Sequence, residues 1–352
     1  MRSLLDPPET TVVTGGSGWF GRAYLAAIAA GADDLGPVSR QGEVRVLVAA
    51  PADVDLILEV LPGARVQVGD VADMTVVTRL FAGAEGASVV HAAGVIHPAR
   101  VRDFERVNVG GTCNVLDAAR RAGARRMVHV SSNSPFGTNA TTTDTFRSDE
   151  PYSPYLGYGV SKMHAEQRVR GADDPGGMRT VVVRPPWFYG PWQPLRQTTF
   201  FRLVRTGRFP ILGDGSQRRS MVYVDNLVRG VALAERVADA AGGAFWVADA
   251  RPYPLSEIVS TVRQALRDEG FAVSARQIRL PAVAGRVAER ADRLLQARGI
   301  YSQQVHVLGE LDKTIACDIS AAEEALGYAP GVELLEGMRR AIRWCVERGI
   351  DV

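Results

Sequence analysis

The stretch TTVVTGGSGWFGRAYLAAIAA, Thr10–Ala30, sets Gly15, Gly18 and Gly21 between a β-branched run and an alanine-rich segment. Thr10–Val13 has the composition of a buried strand, and Phe20–Ala30 has helix propensity with an apolar face. Gly15 permits a tight turn out of the strand, Gly18 lets backbone approach a ligand, and Gly21 allows close helix–strand packing. The free N–H groups of a helix start then face an anion, the geometry of a dinucleotide pyrophosphate site. A glycine-rich turn can also serve packing alone, so the reading needs support further along the chain.

Working outward, short β-branched segments recur at Val44–Ala49, Arg65–Val68, Ser88–His91, Met127–Ser131 and Thr180–Val183, with Ala244–Val247 as one more. Most are apolar without alternation, as expected of strands covered on both faces. Helical stretches at Thr75–Phe81, Gly111–Ala122 and Ser161–Arg170 lie between them, which predicts right-handed crossovers and an α/β doubly wound parallel sheet, a Rossmann fold. Prolines interrupt the pattern at Pro185–Pro194 and Pro252–Pro254, and beyond Leu255 the chain turns mainly helical. The expected division is a dinucleotide-binding domain over 1–184, with 221–250 returning to it. Residues 185–220 and 251–352 then form a smaller, mainly helical substrate lobe.

The 352 residues carry a formal net charge of +2, which suggests neither a nucleic-acid footprint nor a polybasic membrane patch. Cys113, Cys317 and Cys345 are odd in number and widely spaced, against a disulfide framework or a structural zinc site. No run of 18 apolar residues and no signal-like N-terminus occurs, so the expectation is a soluble, cytoplasmic protein without a metal.

SPYLGYGVSKMHAE places Tyr158 and Lys162 four residues apart, on one face of a helix. An ammonium beside the phenol, with the charge of an oxidised nicotinamide, would lower a tyrosine pKa that is ordinarily near 10. MVHVSSNSPFG brings Ser131, Ser132 and Ser134 to the carboxyl edge of a strand, where doubly wound sheets bind ligands. A hydroxyl there can hold a substrate oxygen while the tyrosine moves its proton.

Together TGGSGWFG, GDV at Gly69–Val71, HAAG at His91–Gly94, NVGGT at Asn108–Thr112, SSNSPFG, YGVSK and RPPWFYGP resemble the extended short-chain dehydrogenase/reductase superfamily, also called the NAD-dependent epimerase/dehydratase family. LGYAP at Leu326–Pro330 resembles its C-terminal signature. The resemblance implies that Gly15, Gly18, Trp19, Phe20 and Gly21 hold the pyrophosphate side of NAD. Asp70 and Val71 would meet the adenine, Ala92, Ala93 and Gly94 the adenosine ribose, and Pro185 with Pro186 the nicotinamide. Ser132, Tyr158 and Lys162 become the catalytic set, Asn108 shapes the active-site helix, and Ser134 adds a polar contact. His97 and Trp187 are candidate substrate contacts.

The second strand ends Val48-Ala49-Ala50-Pro51, with neither the carboxylate of NAD-binding members nor the arginine of NADP-binding ones. The reading leans to NAD, with NADP possible if Arg40 or Arg45 reaches a 2′-phosphate. GDGSQRRSMVYVDN resembles the sugar-nucleotide branch, in which Arg219 would clamp a diphosphate. The long segment Leu280–Cys317 instead resembles the hydroxysteroid and sterol-carboxylate branch, which takes bulky apolar alcohols. Asn133-Ser134 stands where dehydratases carry Asp-Glu, which argues against dehydration. The expected function is hydride transfer at a secondary alcohol or ketone carbon, in a sugar-nucleotide epimerase or ketoreductase, by a homodimer that binds a small-molecule substrate. A hydroxysteroid-type dehydrogenase and a non-catalytic dinucleotide-binding regulator are the alternatives.

Overall fold

The computed structural model describes residues 2–31, 33–40, 42–281 and 283–352. The first half alternates β1 Thr10–Thr14, α1 Trp19–Ala30, β2 Glu43–Val48, α2 Asp53–Val60, β3 Arg65–Val68, α3 Met74–Leu80 and β4 Ser88–His91. It continues with a π-helical segment Phe104–Gly110, α4 Gly111–Arg121, β5 Arg126–Val130, α5 Leu156–Arg170 and β6 Arg179–Arg184. Then come β7 Trp187–Tyr189, α6 Leu195–Arg205, β8 Pro210–Leu212, β9 Arg218–Arg219, β10 Met221–Tyr223, α7 Val224–Arg236 and β11 Ala244–Trp246. The last third holds β12 Tyr253–Pro254, α8 Leu255–Asp268, β13 Ile278–Leu280, α9 Val283–Ala297, α10 Gln303–Glu310, α11 Ser320–Leu326 and α12 Leu334–Glu347.

Seven strands form one parallel sheet in the order β11-β6-β5-β4-β1-β2-β3. Val12 and Val13 of β1 and Val89 and Val90 of β4 are fully buried, as burial of both faces requires. The order reverses between β1 and β4, so the crevice at their carboxyl ends is the predicted ligand position. Gly15 follows β1 there and Ala92 follows β4. The strand segments read from the sequence fall on observed strands, shifted by at most a residue or two at their ends.

Three further strand pairs, β7 with β10, β9 with β12 and β8 with β13, stand outside the main sheet. A second core of Phe201, Ile211, Leu255, Ile258, Met338 and Ile342 joins α6, α8 and α12. β11 is hydrogen bonded to β6, and α7 packs on β5 and β6. Among the described residues, no helix is long and apolar enough to cross a membrane.

Candidate active site

The glycine corner is shaped by what a side chain would strike. Gly15 has φ +75°, and a Cβ on it would lie 2.7 Å from the backbone of Ala92 and Ala93. A Cβ on Gly21 would lie 2.3 Å from the Gly15 carbonyl, so strand turn and helix start could not close. Gly18 differs: it is exposed, its backbone is extended at φ −67°, and a Cβ there would meet only the Gly15 carbonyl, at 3.1 Å. No side chain caps α1, and no acidic residue stands in its first turn. The amides of Trp19, Phe20 and Gly21 thus form an open, positively polarised helix start that fits a pyrophosphate.

The cations proposed for a 2′-phosphate are committed elsewhere. Arg40 forms a buried ion pair with Glu235 of α7 at 2.5 Å and also bonds the Tyr24 hydroxyl and three backbone carbonyls. Arg45 is held by Glu43 at 2.7 Å and by the carbonyls of Leu80 and Ala82. Both expectations are corrected: each guanidinium staples the fold, because a buried arginine must satisfy its own donors. The first turn of α2, just past Ala49-Ala50, carries Asp53 and Asp55 and no cation. Asp70 accepts from the amide of Ala72 and from Arg106, which hold its carboxyl below the usual range despite desolvation, and Val71 packs beside Gly111.

A continuous hydrogen-bond chain links the glycine corner to Tyr158. Thr14 Oγ1 lies 2.6 Å from His91 Nδ1, and His91 Nε2 lies 2.9 Å from Thr112 Oγ1. Thr112 donates to the Asn108 carbonyl, Asn108 Nδ2 donates to Ser161 Oγ at 2.9 Å, and Ser161 donates to the Tyr158 carbonyl at 2.8 Å. Because Thr112 spends its proton on Asn108, His91 must carry its own on Nε2, and Thr14 donates to Nδ1. Burial and then the Lys162 charge push His91 down to about 3, so this ring is neutral. Asn108 also brackets Val95, accepting from its amide and donating to its carbonyl, and its side chain bounds the space beside Gly94. It is 2 % exposed, on a π-helical turn of the sort often found at functional sites.

α5 is pinned from its other end. Buried Glu166, one turn beyond Lys162, accepts from Arg184 of β6, from Ser131 and from Tyr152. Nothing in the spacing of single motifs marks this clamp, which joins three separate segments. Lys162 Nζ donates to the Val130 carbonyl at 2.8 Å, and burial lowers its pKa to about 8. Tyr158 is pushed up to about 12 by burial and by Glu310, with only its hydrogen bond to Ser132 opposing. The expected lowering by Lys162 is absent from this arrangement, because the ammonium is turned to the Val130 carbonyl. Ser132 Oγ lies 3.1 Å from Ser134 Oγ and accepts from the Ser134 amide.

Ser132, Ser134 and Tyr158 share the wall of a cavity of about 240 Å³. Trp19, Pro185 and Pro186 line part of it, and Ile96, Trp187, Phe188, Val307, Leu311 and Ile315 give it an apolar body. An adjoining cavity of about 200 Å³ is walled by Tyr155, Glu289, Arg293 and Lys313. His97 lines the larger cavity and meets the Tyr301 hydroxyl at 2.7 Å. Arg219 also lines it, 6 % exposed; its Nη2 donates to the Glu310 carbonyl, and its Nε has no hydrogen-bond partner among the described residues.

The α9–α10 hairpin roofs both cavities and brings residues that sequence reasoning did not single out. His306 meets Asp292 at 2.7 Å and stacks on Tyr155, while Glu310 faces Tyr158 and Arg219. The length of Leu280–Cys317 was the only signal for this roof. Which side chains it lowers into the cleft depends on a long-range docking.

Comparison with known proteins agrees with this architecture. A model of the NAD dependent epimerase/dehydratase family matches residues 11–248. An uncharacterized protein, y4nL, of Sinorhizobium fredii (strain NBRC 101917 / NGR234) is 45 % identical over 340 residues, spanning 96 % of this chain and 95 % of that protein. A 4-hydroxy-2-methyl-3-oxo-4-farnesyl-3,4-dihydroquinoline-1-oxide ketoreductase of Stigmatella aurantiaca is 30 % identical over 336 residues, 93 % of this chain and 94 % of that one. A 3beta-hydroxysteroid-dehydrogenase/decarboxylase isoform of Arabidopsis thaliana is 29 % identical over 357 residues, 94 % and 78 % of the two chains. Among solved structures, the dTDP-glucose 4,6-dehydratase DesIV of Streptomyces venezuelae, with NAD and TYD bound, superposes with TM-score 0.74 at 25 % identity, covering 97 % of this chain and 98 % of that one. Glycine corner, sheet order and family model agree: the chain belongs to the NAD dependent epimerase/dehydratase family.

Proposed function

We propose that this protein is an NAD-dependent oxidoreductase that moves a hydride at a secondary alcohol or ketone carbon of a substrate with an apolar body. One observation carries the reading: the hydroxyls of Tyr158 and Ser132, in mutual contact, open into a cavity whose cofactor side is lined by Trp19, Pro185 and Pro186. Gly15, Gly18, Trp19, Phe20 and Gly21 would hold the pyrophosphate; Asp70, Val71, Ala92, Ala93 and Gly94 would hold the adenosine half, and Lys162 the nicotinamide ribose. The bound nicotinamide supplies or accepts the hydride. Ser132 orients the substrate oxygen, Tyr158 gives or takes its proton, and the Ser132 hydrogen bond favours the phenolate. NAD is favoured over NADP because Arg40 and Arg45 are spent within the fold.

The apolar lining supports an alcohol or ketone in a greasy frame, in keeping with relatives named for a hydroxysteroid and a farnesylated 3-oxo compound. A nucleotide sugar is the second reading. It is supported by the unpaired Nε of Arg219 at the cavity wall and by similarity to the dTDP-glucose enzyme. Residues 1–184 with 221–250 would then carry the cofactor, and 185–220 with 251–352 the substrate, in a homodimer. Titration of the purified protein with NAD, NADH, NADP and NADPH tests the first claim. Tighter NADH than NADPH is expected, and no binding by any of the four would end the proposal. Binding of UDP or dTDP that Arg219→Ala weakens tenfold or more would decide for the second substrate reading.

A further inference from the structure

The roof helix α9 is built inside out. A helix on a soluble protein turns its apolar stripe inward. α9 instead buries Gly285, Ala288, Asp292 and Gln296 and exposes Val283, Val287 and Leu294, at 49 %, 61 % and 59 % exposure. At 3.6 residues per turn those three side chains fall within about 40° of one another, on the side opposite Asp292. The polar inner face has a local cause: Asp292 receives His306, the Tyr155 hydroxyl and Gln296, which tie the roof to α10 and to the start of α5. Among the described residues, none covers the apolar outer face. Ile300, just past the end of α9, and Val307 of α10 are exposed as well.

Charge follows the same division. Residues 276–300 hold six arginines against two acids, a local net of +4 within a chain whose total is +2. All six arginines are exposed: Arg276, Arg279, Arg286, Arg290, Arg293 and Arg298. Of the acids, Asp292 is fully buried and Glu289 is paired with Arg293 and Lys313. The bulk net charge of +2 does not reveal this local excess of arginine. Val307 belongs both to the exposed face and to the cavity wall, and Ile96 does the same from the other rim. Val307 and Ile96 thus set exposed apolar surface at the wall of the cavity that holds Tyr158.

We propose that α9, with the adjoining Ile300 and Val307, docks on an anionic lipid surface. The stripe would enter the headgroup boundary, the arginines would meet lipid phosphate and carboxylate groups, and an apolar substrate would reach the cavity past Val307. A second copy of the chain is a poorer occupant, because two such faces would press arginines against arginines. The docking does not depend on the reaction proposed above; only the substrate route does.

The test uses the full chain and large unilamellar vesicles of phosphatidylcholine, with and without 30 % phosphatidylserine (about the charge density of a natural anionic leaflet). Flotation should show binding to the anionic vesicles that falls at least about tenfold without phosphatidylserine or at high salt. Val287→Glu with Leu294→Glu should abolish it, with far-UV circular dichroism and melting temperature unchanged, since both side chains already face solvent. Arg286→Glu with Arg290→Glu should remove the preference for phosphatidylserine. Wild-type protein that stays with the soluble fraction overturns the proposal, as does a glutamate pair that floats like wild type. Light scattering that shows a dimer which the glutamate pair dissolves, with no vesicle binding, assigns the face to self-association and overturns it equally. Absence of dinucleotide binding would leave this result standing, so the two proposals fail separately.

Discussion

Asn108 and Ser161 meet side chain to side chain, with Nδ2 to Oγ at 2.9 Å, and Ser161 passes the constraint to the carbonyl of Tyr158. Asn108 sits on the π-helical turn and holds Val95 in the loop after β4, and Ser161 sits inside the helix that carries Tyr158 and Lys162. One amide therefore sets the distance between the crevice and the proposed proton donor.

Ser161→Ala tests that link. It removes the bridge but leaves Asn108 Nδ2 bonded to the Val95 carbonyl, so the stability loss should be about 1 kcal/mol. Turnover of an accepted alcohol or ketone should fall several-fold while NADH affinity holds. A purely structural role would lower the denaturation midpoint and leave turnover per folded molecule unchanged.

Tyr158→Phe keeps the ring and its packing against Phe104, whose centroid lies 5.8 Å away, and deletes the proton. Turnover should drop by about 10²-fold or more, as for lost general acid–base catalysis, with cofactor binding retained. Ser132→Ala should cost less, because Ser134 stands 3.1 Å away as a second hydroxyl. Steady-state rates and fluorescence titration with NADH measure both. Near wild-type turnover of Tyr158→Phe would remove the assigned mechanism.

Arg40→Met separates fold from cofactor choice. It strands the Glu235 carboxylate in a site where both side chains are almost fully buried, which should cost about 3–5 kcal/mol in chemical denaturation. The NADH-to-NADPH affinity ratio, measured at a temperature where the variant is folded, should stay at the wild-type value. A shift of tenfold in that ratio would show that Arg40 does reach the ribose.

Asp249 gives a pH signature. It accepts from the Tyr223 amide, Asn226 and the Tyr189 hydroxyl, yet burial raises its pKa from 3.8 to about 6. Between those values the folded state binds more protons than the unfolded chain, so this group's contribution to stability falls as pH climbs from about 4 to about 6 and is constant above. The cost of the charged form at neutral pH is about 3 kcal/mol. Asp249→Asn should remove this slope from the variant's stability–pH curve, so that wild-type-minus-variant stability falls across that window, followed by denaturant titrations at stepped pH. An unchanged slope would mean that the carboxyl ionises in the fold without penalty.

The parallel sheet and the glycine corner are legible in the sequence, which also offers Tyr158, Lys162 and Ser132 as one candidate set. Those features are local: a strand buried on both faces shows as an unbroken β-branched run, and a Cβ-free turn shows as glycine. Tertiary structure alone decided how those residues are held and what roofs them. Arg40 looked free in a long loop, but Glu235, 195 residues away, captures it, because a guanidinium carried into the fold has to find a carboxylate. Glu166 draws Arg184, Ser131 and Tyr152 from three segments for the same reason. The inverted face of α9 was written as Val283, Val287, Leu294 and their arginines, but which side pointed outward was settled only when Asp292 found His306 and Tyr155. Periodicity marks that a helix has two faces; burial of a satisfied polar cluster chooses between them.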